Sequence, residues 1–420
     1  MTATRTSPAR TVAPRPPRAA SPRTPRTRLK VCVIGAGPRF LSGISYYTNR
    51  LINVLGRRFD VSAVLIRQMM PARLYPGRTR VGTPLAEFSY PPGCRVYDGI
   101  DWYWLPSMWR AIRMLRQERP QVLILQWWTG TVLHSYLLLA LVARALRISL
   151  VIEFHEVQDP GEQLIPVAAW YVRLLAPVLM WLARGFVVHN EYDRQALVGH
   201  YRMAHRPVTL VPHGPYDQYT RPDGDGAAPD RPQDELCRLL YFGVIRPFKG
   251  VEDIVSALEL MTPEEVARFE LTVVGETWEN WTLPGERIAA SPYRDRIRFI
   301  NRYVHDEEVG ELFAAADVVV LPYHRSSVSG PLQLTMAQGL PVVVTAVGGL
   351  VEATEGYEGA IRVPPQDPAA LRQALNAAHE LRGTRFPGVA SWERTLEGYG
   401  TLFETLGVEA SGVEVGANRR

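Results

Sequence analysis

The chain has 420 residues, 46% hydrophobic and 21% charged, which suits a soluble globular protein too long for one ordinary core, so two domains are expected. The net charge of +5 is concentrated in residues 1–30, which hold seven Arg and one Lys with no acid, so the rest sums to −3 (5 less 8). Charge therefore lends no support to nucleic-acid binding by the folded part, and three scattered cysteines without metal spacing fit a reducing, cytoplasmic setting.

Residues 1–28 are Pro, Arg, Thr, Ser and Ala, with almost nothing to bury and no apolar stretch of the signal-peptide kind. They read as a disordered basic arm, either inert or lying on anionic lipid. Val31–Ile34 is a buried strand running into a Gly-rich loop at 35–43, then a helix from about Ile44 to Leu55. The loop resembles a dinucleotide fingerprint only superficially. Phe40 stands where the third glycine belongs, and strand Phe59–Ile66 ends near Arg67 and Gln68 rather than an acid, so NAD binding is rejected. Residues 71–110 resolve into no elements until a helix at 107–118.

Strands Gln121–Gln126, Ser149–Phe154, Gly185–His189 and Val208–Pro212 then alternate with helices at 132–146 and 162–183, the pattern of a parallel, doubly wound sheet. Neither apolar helix reaches the roughly 20 residues needed to span a bilayer. Helix 162–183 mixes Trp, Tyr, Leu and Arg, which suits either a core helix or one lying on a membrane surface. Residues 216–235 form a linker. Its Asp223-Gly-Asp225 has the form of a metal-binding pair, and turn chemistry explains it more cheaply.

The second half opens with strand Leu239–Phe242, Gly243, and a helix from Val251 whose core side is Ile254, Val255 and Leu258. Arg246 and Lys249 thus sit on a strand-to-helix loop beside unpaired helix amides. That is where an open α/β sheet binds anions, although a solvated loop holding two cations is the plain alternative. Strands Glu270–Val274, Ile297–Ile300, Asp317–Leu321 and Pro341–Thr345 follow. Gly330 and Pro331 suit the N-cap and first position of a helix, and Gly348, Gly349 and Glu352 follow the last of these strands. Three strand-ending loops with Gly, Ser or cations should gather at one carboxyl edge.

These motifs carry a resemblance. Phe-Gly-Val-Ile-Arg-Pro-Phe-Lys-Gly at 242–250, Leu-Phe-Ala-Ala-Ala-Asp-Val-Val-Val-Leu-Pro at 312–322, Met-Ala-Gln-Gly-Leu-Pro-Val-Val at 336–343 and Gly-Gly-Leu-Val-Glu at 348–352 resemble the GT-B glycosyltransferases, specifically the large retaining group 4 family. The match runs from about Leu29 to Leu381. It implies two doubly wound Rossmann-like α/β domains facing each other across a cleft: an acceptor-side domain at 29–215 and a nucleotide-sugar domain at 236–388. A helix at 389–407 crosses back to the first domain, and 408–420 form a tail. The resemblance implies that Arg246 and Lys249 hold the donor's diphosphate and that His155 lies near the reacting sugar. It also places Ser42 and Gly43 in the first strand's small-residue loop and Gly348, Gly349 and Glu352 in the cleft.

The family usually has two glutamates eight residues apart, and Ser326 and Leu334 stand at those positions. Ser329 and Gly330 resemble a variant in which hydroxyls and helix amides, here those of Leu332 and Gln333, replace the first glutamate. The implied reaction moves a sugar from a nucleotide-sugar to a carbohydrate or lipid-linked acceptor with no metal or other cofactor, and a peripheral membrane contact is compatible with it. A nucleotide-sugar epimerase and a catalytically silent sugar-nucleotide-binding partner are the other readings, and His155 also suits a structural histidine at a strand end.

Overall fold

The computed structural model describes residues 28–39, 43–69, 88–157, 165–201, 206–217, 235–278 and 280–408. The basic arm, Ser42, the Asp223-Gly-Asp225 pair and the tail from residue 409 lie outside them.

The first sheet contains β1 (Lys30–Ala36), β2 (Asp60–Ile66), β3 (Arg95–Ile100), β4 (Val122–Trp127), β5 (Ser149–Phe154), β6 (Gly185–Val188) and β7 (Val208–Leu210). Every pairing is parallel, in the order β3-β2-β1-β4-β5-β6-β7. Its helices are α1 (Gly43–Leu55), α2 (Ser107–Glu118), α3 (Leu133–Ala145), α4 (Pro166–Leu182) and α5 (Glu191–His200). Helices cover both faces, so β4 and β5 are buried along their whole length and appear in the sequence as unbroken apolar runs. Edge strand β3 is half-buried over much of its length, and its sequence, Arg-Val-Tyr-Asp-Gly-Ile, carries no such run.

The second sheet is built likewise from β8 (Cys237–Phe242), β9 (Phe269–Val274), β10 (Ile297–Ile300), β11 (Val318–Leu321), β12 (Val342–Thr345) and β13 (Ala360–Val363). Its order is β10-β9-β8-β11-β12-β13, again all parallel. Helices α6 (Val251–Glu259), α7 (Pro263–Val266), α8 (Leu283–Ala290), α9 (Asp306–Ala315), α10 (Gly330–Ala337), α11 (Gly349–Ala353) and α12 (Pro368–His379) connect and cover it. In each sheet the order reverses next to its first strand, between β1 and β4 and between β8 and β11. Ligands of open α/β sheets bind at such points, outside the carboxyl ends of the strands.

A last helix, α13 (Trp392–Thr405), returns to the first domain. Ser391 caps it, Trp392 Nε1 donates to the Pro215 carbonyl at 3.1 Å, and Thr395 Oγ1 donates to that of Pro212 at 2.8 Å. Phe403 meets Phe59 edge-on, with ring centroids 5.2 Å apart. The carboxyl edges of the two sheets meet directly. Asn190 Nδ2 donates to the Ser327 carbonyl at 3.3 Å, and Ser327 Oγ donates to Asp193 Oδ2 at 2.6 Å.

Candidate functional site between the two sheets

The loop leaving β8 turns at Gly243 (φ 133°) and forms a single 3-10 turn over Pro247–Lys249, with Arg246 at its N-cap. Gly250 (φ 63°) then starts α6, and a Cβ on it would collide with the Pro322 carbonyl. Only glycine lets this loop lie against the one leaving β11, where the His324 amide donates to the Phe248 carbonyl at 2.9 Å. His324 Nε2 in turn lies 2.8 Å from Asp253 Oδ2 on α6.

Three cations surround the Phe248 ring: Arg246 at 4.9 Å, Arg325 at 5.4 Å and Lys249 at 5.5 Å from its centroid. Lys249 Nζ also lies 3.6 Å from the centre of the Tyr323 ring. Burial pushes the Lys249 ammonium down to about 7, Arg246 and Arg325 push the same way, and Glu156 opposes them. Glu156 belongs to the first domain, just beyond His155. The Lys249 charge is thus felt across the cleft. Arg325 and Glu156 are members of this site that sequence reasoning missed, since both lie in loops with no regular spacing.

Ser329, not Gly330, is the N-cap of α10, because its hydroxyl accepts the Leu332 amide at 3.2 Å. The Gln333 amide donates to the Ser329 carbonyl at 3.1 Å. Both amides expected to face an anion therefore have partners within their own helix. Gly330 is the first helical residue, and a Cβ there would meet the Tyr216 ring at 3.3 Å. The hydroxyl of that tyrosine donates to the Gly43 carbonyl at 2.9 Å, so Tyr216 joins Gly43 of the first domain to Gly330 of the second.

Gly348 (φ 50°) and Gly349 pack against the loop after β11, where Cβ atoms would collide with the carbonyls of Ser326 and Ser327. Glu352 reaches the other domain: its carboxylate accepts the amides of Glu191 at 2.7 Å and Tyr192 at 2.9 Å, at the N-terminus of α5. Ser326 and Leu334 are buried and bring no carboxylate to the cleft.

In the first domain the Gly-rich loop leaves no gap for a ligand at Gly35, where a Cβ would collide with Gln126 Oε1. Gln126 Nε2 donates to Glu153 Oε2 at 3.0 Å and the Tyr47 hydroxyl to Glu153 Oε1 at 2.6 Å. His155, His189 and His213 each follow a successive strand, so the sheet brings their rings within 4.9–6.1 Å of one another. His155 Nε2 and His189 Nε2 both lie 3.7 Å from the Glu153 carboxylate. Burial would raise the Glu153 carboxyl, but the two imidazoles and the Tyr399 hydroxyl hold it down at about 2. Burial, with the neighbouring His155, lowers His189 to about 4, and burial puts His213 well below the ordinary range. Glu153, His155 and His189 have the spacing of a metal-binding group, their ligand atoms lying within 4.8 Å of one another. Both Glu153 oxygens accept hydrogen bonds, while His155 Nε2 and His189 Nε2 are buried without a hydrogen-bond partner; the outer member of the trio, His155, meets the second domain where its carbonyl accepts the Ser327 hydroxyl at 3.3 Å. The repeated strand-ending histidines were the one sequence signal for it.

Residues 42–214 match the family described as "Glycosyl transferase 4-like domain", and residues 237–380 match "Glycosyl transferases group 1". The D-inositol 3-phosphate glycosyltransferase of Geodermatophilus obscurus is 32% identical over 228 residues, 50% of each chain. That of Acidothermus cellulolyticus is 28% identical over 262 residues, 58% of this chain and 56% of its own. The chain thus spans about half the length of the curated relatives it matches. Among solved structures, sucrose-phosphate synthase from Thermosynechococcus elongatus superposes with a TM-score of 0.62 at 20% identity, covering 90% of this chain and 99% of that one. Anabaena HepE in complex with UDP and glucose superposes at 0.58 and 14% identity, with coverage of 90% and 99%. With glycosyl transferase models matching both halves and two parallel sheets meeting at their carboxyl edges, the chain belongs to the group 4-type glycosyltransferases of GT-B fold.

Proposed function

We propose that the chain transfers a sugar from a nucleotide-sugar to a carbohydrate or lipid-linked acceptor with retention of configuration, without a metal ion or other cofactor. One observation carries this reading: Arg246, Lys249 and Arg325 converge on Phe248 at the β8/β11 switch point, opposite His155 and Glu156. A diphosphate between such cations relieves their mutual repulsion. As the bond to the sugar breaks, negative charge grows on the departing diphosphate, and cations already in place stabilise it. In this reading Arg246, Lys249 and Arg325 do the work that a divalent ion would otherwise do. His155 positions the sugar or acceptor from the opposite edge, and Ser329 and Gly330 border the donor. The structural neighbour solved with UDP and glucose is in keeping with a nucleoside diphosphate sugar as donor.

The test is a screen of nucleotide-sugars with carbohydrate acceptors, following release of nucleoside diphosphate and the anomeric configuration of the product. Activity lost to EDTA and restored by Mg²⁺ or Mn²⁺ would remove the metal-free part. A second reading, a catalytically silent sugar-nucleotide-binding protein, is favoured by Ser326 and Leu334 at the two glutamate positions. Tight donor binding with no turnover on any acceptor would select it, whereas turnover without acceptor would select an epimerase.

A further inference from the structure

The face of the first sheet opposite α1 is covered by α2, α3 and α4, and their outer surface is unusually apolar. All five exposed tryptophans among the described residues lie on this layer or the loop leading into it: Trp102, Trp104, Trp109, Trp170 and Trp181. On α4, the exposed apolar residues Val167, Trp170, Leu174, Val178 and Trp181 recur every three or four positions, so they form one outward stripe. Trp170 is 65% exposed and Trp181 60%.

The pieces form one continuous surface. The His134 amide donates to the Tyr171 hydroxyl at 2.8 Å, joining α3 to α4, and the His134 ring stands 5.3 Å from Trp102. Trp104 Nε1 donates to Ser135 Oγ at 3.1 Å. At the far end, Arg144 lies 5.3 Å over the Trp181 ring, tying the last turn of α3 to that of α4. The three helices carry Arg110, Arg113, Arg116, Arg144 and Arg173 against one acid, Glu118, which pairs with Arg95 at 2.5 Å.

We infer that this layer docks onto an anionic lipid bilayer. Tryptophans prefer the level of the headgroups, and arginines beside an apolar stripe match anionic phosphates. A large exposed apolar patch of this kind marks an interaction surface, and its charge selects an anionic one. No helix among the described residues is long and apolar enough to cross a membrane, so the contact lies in the interface. The Trp102–Leu105 loop follows β3 at the same carboxyl edge as His155, so docking brings the cleft near the lipid surface. An acceptor sugar carried by a membrane lipid would then be presented to the cleft; that last step rests on the transferase reading, and the docking itself does not.

The test is flotation of the full chain with phosphatidylcholine vesicles, with and without phosphatidylglycerol. The full chain should float with the anionic vesicles, and raised salt should weaken the binding. Trp170→Glu together with Trp181→Glu should reduce partitioning by tenfold or more, on the order of the loss of two buried aromatic side chains. These residues are exposed, so the thermal midpoint should hold; Val167→Glu is the second variant should it fall. Failure of the full chain to float overturns the inference. So does flotation equal in the wild type and both variants, which would assign binding to the basic residues before Arg28. A dimer in gel filtration that the same substitutions dissolve would show a second copy of the chain on this face instead. Flotation without sugar transfer would leave the docking standing and count against the transferase.

Discussion

The ammonium of Lys249 lies 3.6 Å from the centre of the Tyr323 ring, held there by the Gly250 turn against the Pro322 carbonyl. A cation on an aromatic face keeps part of its stabilisation without water, but burial and two neighbouring arginines still bring its pKa to about 7. Near neutrality, therefore, this lysine holds its proton only part of the time.

A diphosphate beside Lys249 restores the charge, so binding should draw a proton from the buffer at pH 8. Calorimetry of nucleoside diphosphate binding in two buffers of different ionisation enthalpy should differ accordingly, and Lys249→Ala should abolish the difference. The ligand-free protein should also gain stability as pH rises from about 7 toward 10.5, because the unfolded lysine holds a proton there that the folded one has released. Arg246→Ala with Lys249→Ala should weaken nucleoside diphosphate far more than nucleoside, each charge-assisted contact being worth about 1.5–3 kcal/mol. Equal losses for both ligands would remove the diphosphate from this loop.

At the start of α10 the hydroxyl of Ser329 is first of all a helix cap. Ser329→Ala should cost about 1 kcal/mol of stability through the Leu332 amide. A further loss of donor affinity, measured by titration, would show that the hydroxyl also donates to the ligand. Gly330→Val should press on Tyr216 and move the Gly43 end of the same contact. Donor affinity and thermal midpoint should both fall, and Tyr216→Ala in the same chain should recover part of each. Additive losses would show that Gly330 and Tyr216 act separately.

The buried network around Glu153 gives a direction to acid sensitivity. His189 is lowered to about 4 from 6.5, so the unfolded chain binds a proton that the folded chain refuses between those values. Stability should fall as pH drops from 6.5 through 4. Glu153, held at about 2 against 4.5, adds stability above 4.5 that is lost as pH drops toward 2. His189→Asn should flatten the upper part of the melting-temperature profile. Glu153→Gln should lower the midpoint at pH 7 and remove the lower part. An unchanged slope between pH 6.5 and 4 in His189→Asn would place the sensitivity elsewhere.

The legible part of this protein is what burial writes into local sequence. β4, β5, β8, β11 and β12 sit between helical layers, and their apolar runs stand out without knowledge of neighbours. Edge strand β3 is half-buried over much of its length and lies in the stretch that resolves into no elements, and edge strand β13 is not among the strands expected from the sequence. Arg246 and Lys249 were visible because a glycine-marked strand-to-helix turn places them. Arg325 reaches the same ring from a loop more than 70 residues later, through a packing that only the Gly250–Pro322 approach creates. The Ser329 cap was misread for a smaller reason: Ser-Gly-Pro offers two adjacent N-cap candidates, and Pro331 suits the second helical position as well as the first.

Glu352, which the resemblance puts in the cleft, is paired in the structure with the other domain. Its carboxylate accepts two amides at the N-terminus of α5, where helix dipole and unpaired donors both favour an anion. Contacts of this kind are worth about 1 kcal/mol each, so Glu352 helps hold the domains in their observed relation. Glu352→Ala should lower the thermal midpoint and enlarge the ligand-free radius of gyration measured by X-ray scattering. Glu352→Gln keeps one acceptor oxygen and should fall between the two. If Glu352 is only a domain contact, saturating donor should return the Ala variant to the compact form with turnover largely preserved. If it also touches the donor, Glu352→Gln should weaken donor binding while the radius stays small. A compact Glu352→Ala variant with normal donor binding would leave the two amide contacts without consequence for domain closure.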